Sequence, residues 1–563
     1  MTIPVYTYIV FTTIIETVNI QDEVSITIKD LFNATGTIII TIVVLYYLYI
    51  YKIYDIYTNL SFSSVNINNY TSSMVFKTRQ SKNVLSSFIP SNENINRPQI
   101  IEIKNIEKCN IKMTKEDDII NGYLNNKNNA ELIINIKNGD LIITNNINLN
   151  NNNIKKLKII GESKDYSILN FSNINNGFIF GNSIKEIELS KISINGNLKF
   201  MNNNKVEIGN VNINGILDFN SQCFDDQCID DQSIIINNLN FHSKTESKEY
   251  CINLFGNVKI NNSFFYGNSS CKNGIMKYDG EHMNNIEIID SYFNGEYLNQ
   301  CFKIINSLKS EIISSKFEKG ASYKNGGLLY IYSSSEYRTN IVMFDTEYSD
   351  VGNINQPINN GGLIASVEGF SNLYIKDFYG ENLNGGNGVG AFTLNQESTI
   401  EINNIELHGV DASGIGGVFF TSSNEAIGSK FKITNGNFKD FIQNSVNLAS
   451  SFIMVEKNID ISINNPTKIE FNNVSISNYT SFSPSLLFKS QSINEKITYD
   501  YGEITISNSY FSDIWRCMVS DYCVITNRDE ILNIVQNGII DIGNDSTVTI
   551  NNTTFEFCYS SKK

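Results

Sequence analysis

The segment INNSFF at residues 260–265 is one copy of a pattern that recurs along most of the chain. The pattern consists of an apolar residue, two small polar residues that are often Asn-Asn, two variable residues and a large apolar residue. Clear copies occur at 208–213, 236–241, 289–293, 313–317, 402–407, 433–438, 506–511 and 550–555. Poorer copies close at Ile194, Tyr348, Tyr379 and Ile476. The chain therefore contains an internal repeat, and the rest of the sequence is interpreted from it.

The closing apolar position of each copy, here called the slot, recurs at intervals of 19 to 44 residues. The slots are Ile194, Ile213, Phe241, Phe265, Phe293, Phe317, Tyr348, Tyr379, Leu407, Phe438, Ile476, Phe511 and Phe555. Between them lie short alternating or wholly apolar segments, separated by Asn, Gly and Ser. Such segments predict short β-strands joined by turns. We expect a solenoid of parallel strands whose coils stack at about 4.8 Å, with insertions leaving the coils at their turns.

The Asn residues of the pattern have a predicted role in those turns. Asn tolerates left-handed backbone, and its amide can form a hydrogen-bonded ladder from one coil to the next. Nucleotide bias explains part of the high Asn content, but it does not explain the fixed position of Asn beside Ile.

Two alternatives to the solenoid of parallel strands were weighed. A leucine-rich repeat has an overlapping period and also uses Asn in turns, but its repeat length is more uniform and its Leu-x-x-Leu-x-Leu register is absent here. A disordered Asn-rich chain is opposed by the Ile/Phe periodicity and by a hydrophobic content of 41%.

The stretch LIITNNINLNNNNIKKLKIIGESKDYSILNFSN at 141–173 resembles the opening coils of right-handed parallel β-helix proteins of the pectin-lyase-like superfamily. Gly-Gly-apolar steps nine residues beyond several slots, as in GGLLYIY, resemble the GGA/FxxN repeats of polymorphic outer-membrane and related surface proteins. The resemblance covers about residues 130–563 and implies an all-β, right-handed parallel β-helix solenoid. It implies no single function, because this architecture includes both enzymes and inert surface proteins.

The predicted organisation has four parts: an N-terminal segment at 1–30, a hydrophobic segment at 31–51, a polar linker at 52–100 and the parallel β-helix repeat domain at 101–563. An N-terminal cap is expected at about 101–130, where TKEDDIINGYL (114–124) is the one stretch with helical signals. Aligning the last repeat with FEKGASYKNGG (317–327) places the end of the chain one residue before the expected glycine. We therefore expect the repeat domain to be truncated at its C-terminus, because an uncapped solenoid end exposes strand edges and an apolar cross-section.

The hydrophobic segment LFNATGTIIITIVVLYYLYIY (31–51) carries no charge over 21 residues and ends at Lys52. It is long enough to cross a bilayer, and its tyrosines suit the interface, which predicts a transmembrane span or signal anchor. The alternative is a buried or secretory apolar segment whose true start was misplaced in the gene model. Its flanking charges do not set an orientation.

Charge and cysteine content restrict the classes of binding partner and the cellular compartment that we expect. A net charge of −15 with few Arg and no basic stripe argues against nucleic-acid binding. Nine Cys are too few for a disulfide scaffold in a chain of 563 residues. Sequons at Asn268, Asn473, Asn478 and Asn552 are consistent with a glycoprotein, and with the thiols they favour an oxidising compartment. The predicted location is the membrane, the cell surface or the extracellular space.

The sequence lacks the motifs that β-helix enzymes use to cleave polyuronates. The polygalacturonase motifs Asn-Thr-Asp, Gly-His-Gly and Arg-Ile-Lys are absent, as is the Arg beside an Asp cluster that a pectate lyase needs. His242, His282 and His408 are predicted to be surface or turn residues, each without an acidic partner at coil spacing. Arg338 and Arg516 lack the neighbours that lyase chemistry requires, and Arg516 is expected to pack locally on Trp515.

The segment QCFDDQCIDDQ (222–232) concentrates oxygen and sulfur ligands. Asp225, Asp226, Asp230 and Asp231 could bind Ca²⁺, although no known calcium-loop spacing is present and only one Asp of each adjacent pair can face a common ion. A solvated loop, closed by a Cys223–Cys228 disulfide, is the alternative, and a catalytic role is a third. Cys517 and Cys523 form the second close pair, a further candidate disulfide.

Cys251 and Cys301, in YCINL and QCFKII, occupy equivalent entries to a predicted strand, and Cys271 lies in the coil between them. This spacing predicts a buried ladder of thiols or one disulfide between coils. No zinc pattern accompanies them, since CxxC spacing and paired His are absent.

These observations predict a non-catalytic cell-surface or secreted β-helix protein that acts as a scaffold, in adhesion or in glycan contact. Its expected partners are polysaccharide or cell-surface glycans and, through residues 31–51, a membrane. No cofactor is expected apart from Ca²⁺ at the Asp-rich loop. The competing hypothesis is a polysaccharide lyase or glycoside hydrolase of the pectin-lyase-like superfamily. An Asp/Lys/Arg cluster on adjacent coils of one sheet would favour that enzyme.

Overall fold

Every secondary-structure element that the computed structural model describes is a β-strand. The described residues are 99–102, 131–149, 154–220, 232–247, 249–322, 326–334, 337–352, 363–384, 390–412, 417–422, 429–443, 451–457, 467–481, 488–492, 502–516, 540–541 and 547–560. The predicted membrane segment at 31–51 and helical stretch at 114–124 lie outside them. Within the described ranges, no helix is long and apolar enough to cross a membrane.

The first strands in chain order are β1 (Gln99–Glu102), β2 (Glu131–Ile136), β3 (Gly139–Ile143), β4 (Ile147–Leu149), β5 (Lys156–Gly161), β6 (Ser167–Phe171), β7 (Gly177–Phe180), β8 (Glu186–Asn195), β9 (Asn197–Met201), β10 (Lys205–Asn214), β11 (Leu217–Asn220), β12 (Ser233–His242), β13 (Tyr250–Phe255), β14 (Asn257–Asn261), β15 (Phe264–Tyr266), β16 (Gly274–Asp279), β17 (Asn285–Ile289), β18 (Tyr292–Asn294) and β19 (Gln300–Ile305). The remaining strands are β20 (Lys309–Ile313), β21 (Lys316–Glu318), β22 (Leu329–Ser333), β23 (Thr339–Val351), β24 (Ala365–Gly369), β25 (Ser371–Asn384), β26 (Phe392–Leu394), β27 (Thr399–Ala412), β28 (Gly417–Ser422), β29 (Lys430–Gln443), β30 (Ser451–Lys457), β31 (Thr467–Ser481), β32 (Phe488–Ser492), β33 (Gly502–Ser507), β34 (Tyr510–Arg516), β35 (Ile540–Asp541), β36 (Thr547–Asn551) and β37 (Thr554–Ser560).

These strands form two long parallel sheets. Sheet B contains 14 strands, β4, β7, β9, β11, β13, β16, β19, β22, β24, β26, β28, β30, β32 and β35, and sheet A contains the other 23. Each strand pairs in parallel with its equivalent one coil away, as β16 does with β13 and β19. Parallel pairing of successive equivalents winds the chain into a β-helix-like solenoid. The predicted all-β solenoid of parallel strands is confirmed, and the leucine-rich repeat is excluded for the described coils because each contributes to two sheets and none contains a helix.

The second polar residue of the repeat, usually Asn, lies at a bend of sheet A on each coil. One residue per coil has positive φ at this bend: Asn210, Asn238, Asn262, Asp290, Ser314, Asp345, Asp377, Asn404, Asn435, Asn473, Asn508 and Asn552. The side-chain amides of the Asn residues among them bond to neighbouring coils, for example Asn473 Nδ2 to Asn435 Oδ1 at 2.7 Å and Asn552 Nδ2 to Asn508 Oδ1 at 2.9 Å. The predicted left-handed turn and amide ladder are thus both confirmed. The strand residues before the bend are here called the long arm, and the four after it the short arm.

The slots lie on the short arm and point into the core. Phe265, Phe293 and Phe317 are in register, fully buried and stacked with ring centroids 4.8 and 5.0 Å apart. On sheet B, Phe180, Phe200 and Phe219 form a second buried stack, at 4.8 and 4.4 Å. Such stacks join successive coils through apolar burial, which supplies most of the stability of a solenoid.

One slot assignment was wrong. Tyr379 is 42% exposed, and Gly380 takes the inward position between Tyr348 and Leu407. The reason is steric: a Cβ on Gly380 would lie 1.9 Å from the Tyr348 ring. The buried tyrosine on one coil therefore requires glycine on the next, and Tyr379 turns outward.

Candidate functional site

Most of the predicted ligand and disulfide residues lie outside the described residues. This applies to Asp225, Asp226, Asp230 and Asp231 and to the pairs Cys223/Cys228 and Cys517/Cys523. In the part of the chain that the structure describes, no group of three or more His, Cys, Asp or Glu side chains could hold a metal ion. The Ca²⁺ hypothesis therefore rests on the sequence of 222–232 alone.

The predicted link between coils is present as a disulfide between Cys251 and Cys271. Cys251 lies in β13, and Cys271 lies just before β16, so the bond joins the start of one coil to the approach of the next. Cys301 remains a free, fully buried thiol, and burial raises its pKa. A buried, protonated thiol is unreactive, so Cys301 serves packing rather than chemistry.

The short arm presents two columns of outward side chains, one on each side of the slot. Because side chains alternate along a strand, the residues before and after each inward slot point away from the core. Around Phe265 these are Phe264 and Tyr266, and around Phe293 they are Tyr292 and Asn294, of which Asn294 is only 5% exposed. The columns continue along the solenoid, so neighbours in a column are one coil apart.

Three successive coils bring aromatic rings together on these columns. We call His242, Phe264, Tyr266 and Tyr292 the aromatic patch. His242 stacks on Tyr266 with centroids 4.3 Å apart and an interplanar angle of 4°. Tyr292 lies 6.1 Å from Phe264 and 5.7 Å from Tyr266. Phe264 is 45% exposed, so this apolar surface faces solvent rather than the core.

Hydrogen bonds fix the edge of the aromatic patch. The Tyr292 hydroxyl donates to Glu318 Oε2 at 2.6 Å and accepts from Asn294 Nδ2 at 3.0 Å. Lys316 pairs with Glu318 at 2.8 Å. Burial acts to raise the pKa of Glu318, but the hydrogen bonds from Lys316 and Tyr292 outweigh it and the net pKa is lowered. Glu318 is therefore ionised at neutral pH and orients the phenol.

His242 is neutral at pH 7. Burial, with the nearby Lys244, lowers its pKa from the ordinary value of 6.5. The aromatic patch thus presents uncharged rings, one of which carries ring nitrogens that can hydrogen-bond. Flat rings with polar edges can stack on the apolar face of a sugar while bonding its hydroxyls.

Beyond the patch, the short arm becomes acidic. A groove of about 430 Å³ is lined by Ser314, Ser315, Lys316, Asp345, Thr346, Glu347, Asp377, Phe378, Tyr379, Asn404 and Glu406. It is here called the acidic groove. It places carboxylates and a lysine on adjacent coils, which is the arrangement that would favour an enzyme.

The carboxylates of the acidic groove are occupied by structural partners. Asp345 accepts from Ser314 Oγ at 3.0 Å, and Asp377 accepts from Asn404 Nδ2 at 2.7 Å, both as members of the bend ladder. Glu347 lies 3.6 Å from Lys316. These bonds hold the bends and the strand surface together, and they leave no isolated pair of carboxylates poised as acid and base.

Each histidine lies at a surface or turn position, as predicted, but one has an acidic partner that the sequence reasoning missed. His282 has positive φ in a turn, and His242 ends β12. His408 Nε2 lies 2.8 Å from Glu406 Oε1, two residues earlier on the same strand. The prediction concerned acidic partners one coil away. The strand period of two places 406 and 408 on the same face of one strand, so the partner lies on the same coil.

The aromatic patch was also missed as a site. The repeat pattern identifies the slots and leaves the residues that flank each slot variable. The signal was present in the triplets FFY (264–266), where aromatic residues flank the inward Phe265 on both sides, and YFN (292–294), where one aromatic residue flanks the inward Phe293. Arg338 pairs with Glu397 at 3.2 Å.

The sequence matches no known family model and no curated protein. Solved structures with similarity include the catalytic unit of a thermostable GH87 alpha-1,3-glucanase from Streptomyces thermodiastaticus strain HF3-3, with 10% identity, a TM-score of 0.28 and coverage of 76% of this chain and 64% of that one. The catalytic domain of a GH87 alpha-1,3-glucanase in complex with tetrasaccharides gives 10% identity, a TM-score of 0.29 and coverage of 83% and 71%. The PL6 family alginate lyase AlyGC gives 10% identity, a TM-score of 0.21 and coverage of 79% and 89%.

These similarities concern the fold only. The chain spans 64% of the length of the Streptomyces catalytic unit. At 10% identity and TM-scores of 0.21 to 0.29, they support no statement about activity. The assignment of a β-helix-like solenoid rests on the parallel pairing of the strands described above.

Proposed function

We propose that this protein is a non-catalytic, polysaccharide-binding β-helix of the cell surface or extracellular space, and that the aromatic patch contacts the glycan. The observation that carries the proposal is a cluster of uncharged rings in mutual contact on three successive coils, of which Phe264 is 45% exposed. Exposed aromatic groups cost hydration free energy unless they meet a partner, and clusters of them mark binding surfaces. Sugar rings stack on aromatic faces, and the adjoining Glu318 side chain can bond hydroxyl groups.

Several features support an extracellular setting. The Cys251–Cys271 disulfide is typical of oxidising compartments. The apolar segment at 31–51 suits membrane attachment. The resemblance of the Gly-Gly-apolar steps to surface-protein repeats points in the same direction, and Ca²⁺ binding by the Asp-rich loop at 222–232 belongs to the same proposal.

The second candidate function is polysaccharide cleavage, and the acidic groove is the observation that favours it. Lys316, Glu347, Tyr379 and Glu406 line one surface on adjacent coils. The ladder and ion-pair partners of the carboxylates weigh against it, since a general acid needs a raised pKa and a nucleophile needs a free carboxylate.

One experiment separates the two functions. The full chain is run in native gels containing neutral or acidic polysaccharides, with and without Ca²⁺, and the same mixtures are assayed for new reducing or unsaturated ends. We expect retardation by at least one polysaccharide, no new ends, and loss of retardation in Phe264→Ala. New ends would establish the enzyme, and the absence of retardation with every polysaccharide would leave only a structural stalk.

A further inference from the structure

A second concave site lies on sheet B, at the start of strands β13, β16, β19 and β22. It has a volume of about 290 Å³, near the lower limit for small-molecule sites. Its walls include Tyr250, Lys272, Lys277, Gln300, Lys303 and Tyr330, and we call it the lysine pocket.

The lysine pocket is positively charged in a protein whose net charge is −15. It is lined by three lysines and one carboxylate, Glu249. Lys277 and Lys303 are cross-strand neighbours in the β16–β19 pair, so their side chains leave the sheet about 4.8 Å apart. Like charges opposed in this way repel each other.

Several lysines of sheet A are paired with glutamates on the same or the next coil. On the long arm, Lys259 lies 2.6 Å from Glu287, and Lys468 lies 2.9 Å from Glu503. Neither Lys277 nor Lys303 forms an ion pair with any residue that the structure describes. Lys277 and Lys303 therefore lack the ion pairs that these sheet A lysines make.

The surroundings of Lys303 hold it in place. Its Nζ lies 4.8 Å above the ring of Tyr330, whose hydroxyl donates to Glu368 at 2.7 Å. Burial, and then the charge of Lys277, lowers the pKa of Lys303, while Glu249, Glu368 and Asp279 act in the opposite direction. A negative group between the two lysines would remove this repulsion.

The opposite wall is equally ordered. Gln300 is 3% exposed; its Oε1 accepts from the Tyr250 hydroxyl at 2.9 Å and its Nε2 donates to the Gly326 carbonyl at 2.8 Å. The side chains that shape the pocket are therefore positioned before any ligand arrives, which reduces the entropy lost on binding.

We propose that the lysine pocket binds an oxyanion carried on a sugar-sized molecule, namely the carboxylate of a uronate or the sulfate ester of a sulfated sugar. Two lysine ammonium groups would flank the anion, and the tyrosine rings and Asn273 would contact the sugar. The pocket is too small for a polymer of phosphates, and the acidity of the rest of the chain repels one. This site is separate from the aromatic patch, so either can fail without the other.

Binding to the full chain is measured by titration with glucuronate, glucose 6-sulfate, inorganic sulfate and glucose. We expect saturable binding of at least one charged sugar, weaker binding of inorganic sulfate and none of glucose. Lys303→Met and Lys277→Met should each weaken binding about tenfold or more, because each removes a charged partner of the anion. Lys259→Met, which breaks an ion pair on the long arm, should leave it unchanged. Affinity should also fall with added NaCl.

Reductive methylation of the wild-type lysines provides a second readout that needs no variant. The charged sugar should protect Lys277 and Lys303 but not Lys259. Absence of saturable binding, unchanged affinity in Lys303→Met, or equal protection of all lysines would overturn the proposal. Equal affinity for inorganic sulfate and glucose 6-sulfate would refute the sugar-sized ligand.

Discussion

Two tyrosines occupy the same position on different coils of the short arm and make the same hydrogen bond. Tyr292 donates to Glu318 at 2.6 Å, and Tyr510 donates to Glu556 at 2.6 Å. Each glutamate follows on the next coil and lies beyond the slot of its strand. The backbone repeat thus reproduces the position and the bond more than 200 residues apart in the sequence.

Their neighbours differ. Tyr292 lies beside Phe264 and Tyr266, whereas the cross-strand neighbours of Tyr510 are Ser475 and Thr554. The difference shows that the solenoid provides equivalent outward positions along its length, while adjacent coils decide whether such a position becomes part of a surface. The coils around Tyr292 are here called the patch region, and those around Tyr510 the distal region.

The largest expected effect is the loss of unfolding free energy when a core residue under either region is truncated. Phe293→Ala should cost about 3–5 kcal/mol of unfolding free energy, because its buried ring stacks between Phe265 and Phe317. Phe511→Ala should cost less, toward about 3 kcal/mol, since its stacking partner Phe555 is only partly buried. Denaturant unfolding followed by circular dichroism measures both. Equal losses would show that the distal core is as well packed as the core of the patch region.

The next effect concerns the covalent link in the patch region. Reducing Cys251–Cys271, or replacing both cysteines by Ala, should cost about 3 kcal/mol, because the bond closes a loop with a sequence separation of 20. Unfolding is measured with and without reductant. Cys301→Ala is the matched control and should keep the sensitivity of the wild type to reductant, whereas the double variant should lose it.

Bend residues should contribute to the free energy of unfolding in both regions. Asn508→Ala in the distal region should cost about 1–2 kcal/mol, since it removes amide bonds to Asn472 and Asn552 and places Ala at a φ of 52°. Asn508→Gly should cost less, because glycine tolerates this backbone. Asn238→Ala is the equivalent change near the patch region. If Ala and Gly proved equally costly, the amide ladder rather than the backbone would set the requirement for Asn.

The smallest effect is on pH dependence in the patch region. The folded pKa of Glu318 is lowered, so its contribution to stability is present above the unfolded value of about 4.5 and is lost as the pH falls through the folded pKa. Glu318→Gln should therefore lower the unfolding midpoint at pH 7, and the difference from wild type should shrink at pH 3. A constant difference between these pH values would contradict the ionised Glu318–Lys316–Tyr292 arrangement.

The fold was predictable because one pattern encodes both the strand and its bend. The Asn-Asn step predicted left-handed turns and ladders, and the slots predicted the inward column from Phe241 to Phe555 except at one coil. Gly380 escaped prediction because its role depends on Tyr348, which is one coil away in space but 32 residues away in sequence.

The surfaces were harder to predict than the core. Outward residues show no apolar periodicity, and whether they form a binding surface depends on which coils become neighbours. The register that places Phe264 beside Tyr292, and Lys277 beside Lys303, is set by loop lengths between strands, and variable spacing hides it in the sequence. A disulfide between coils was predictable because Cys251 lies at a strand start that the repeat identifies and Cys271 lies in the coil that follows it.

The most direct test of the account compares Tyr292→Ala with Tyr510→Ala in the full chain. Both changes remove an outward tyrosine and the same hydrogen bond to glutamate, and Tyr292→Ala also removes the ring contacts with Phe264 and Tyr266. We predict that Tyr292→Ala weakens binding to the polysaccharide that retards the wild type, while Tyr510→Ala binds as the wild type does. Equal binding by the two variants, whether retained or lost, would contradict the assignment of glycan contact to the aromatic patch.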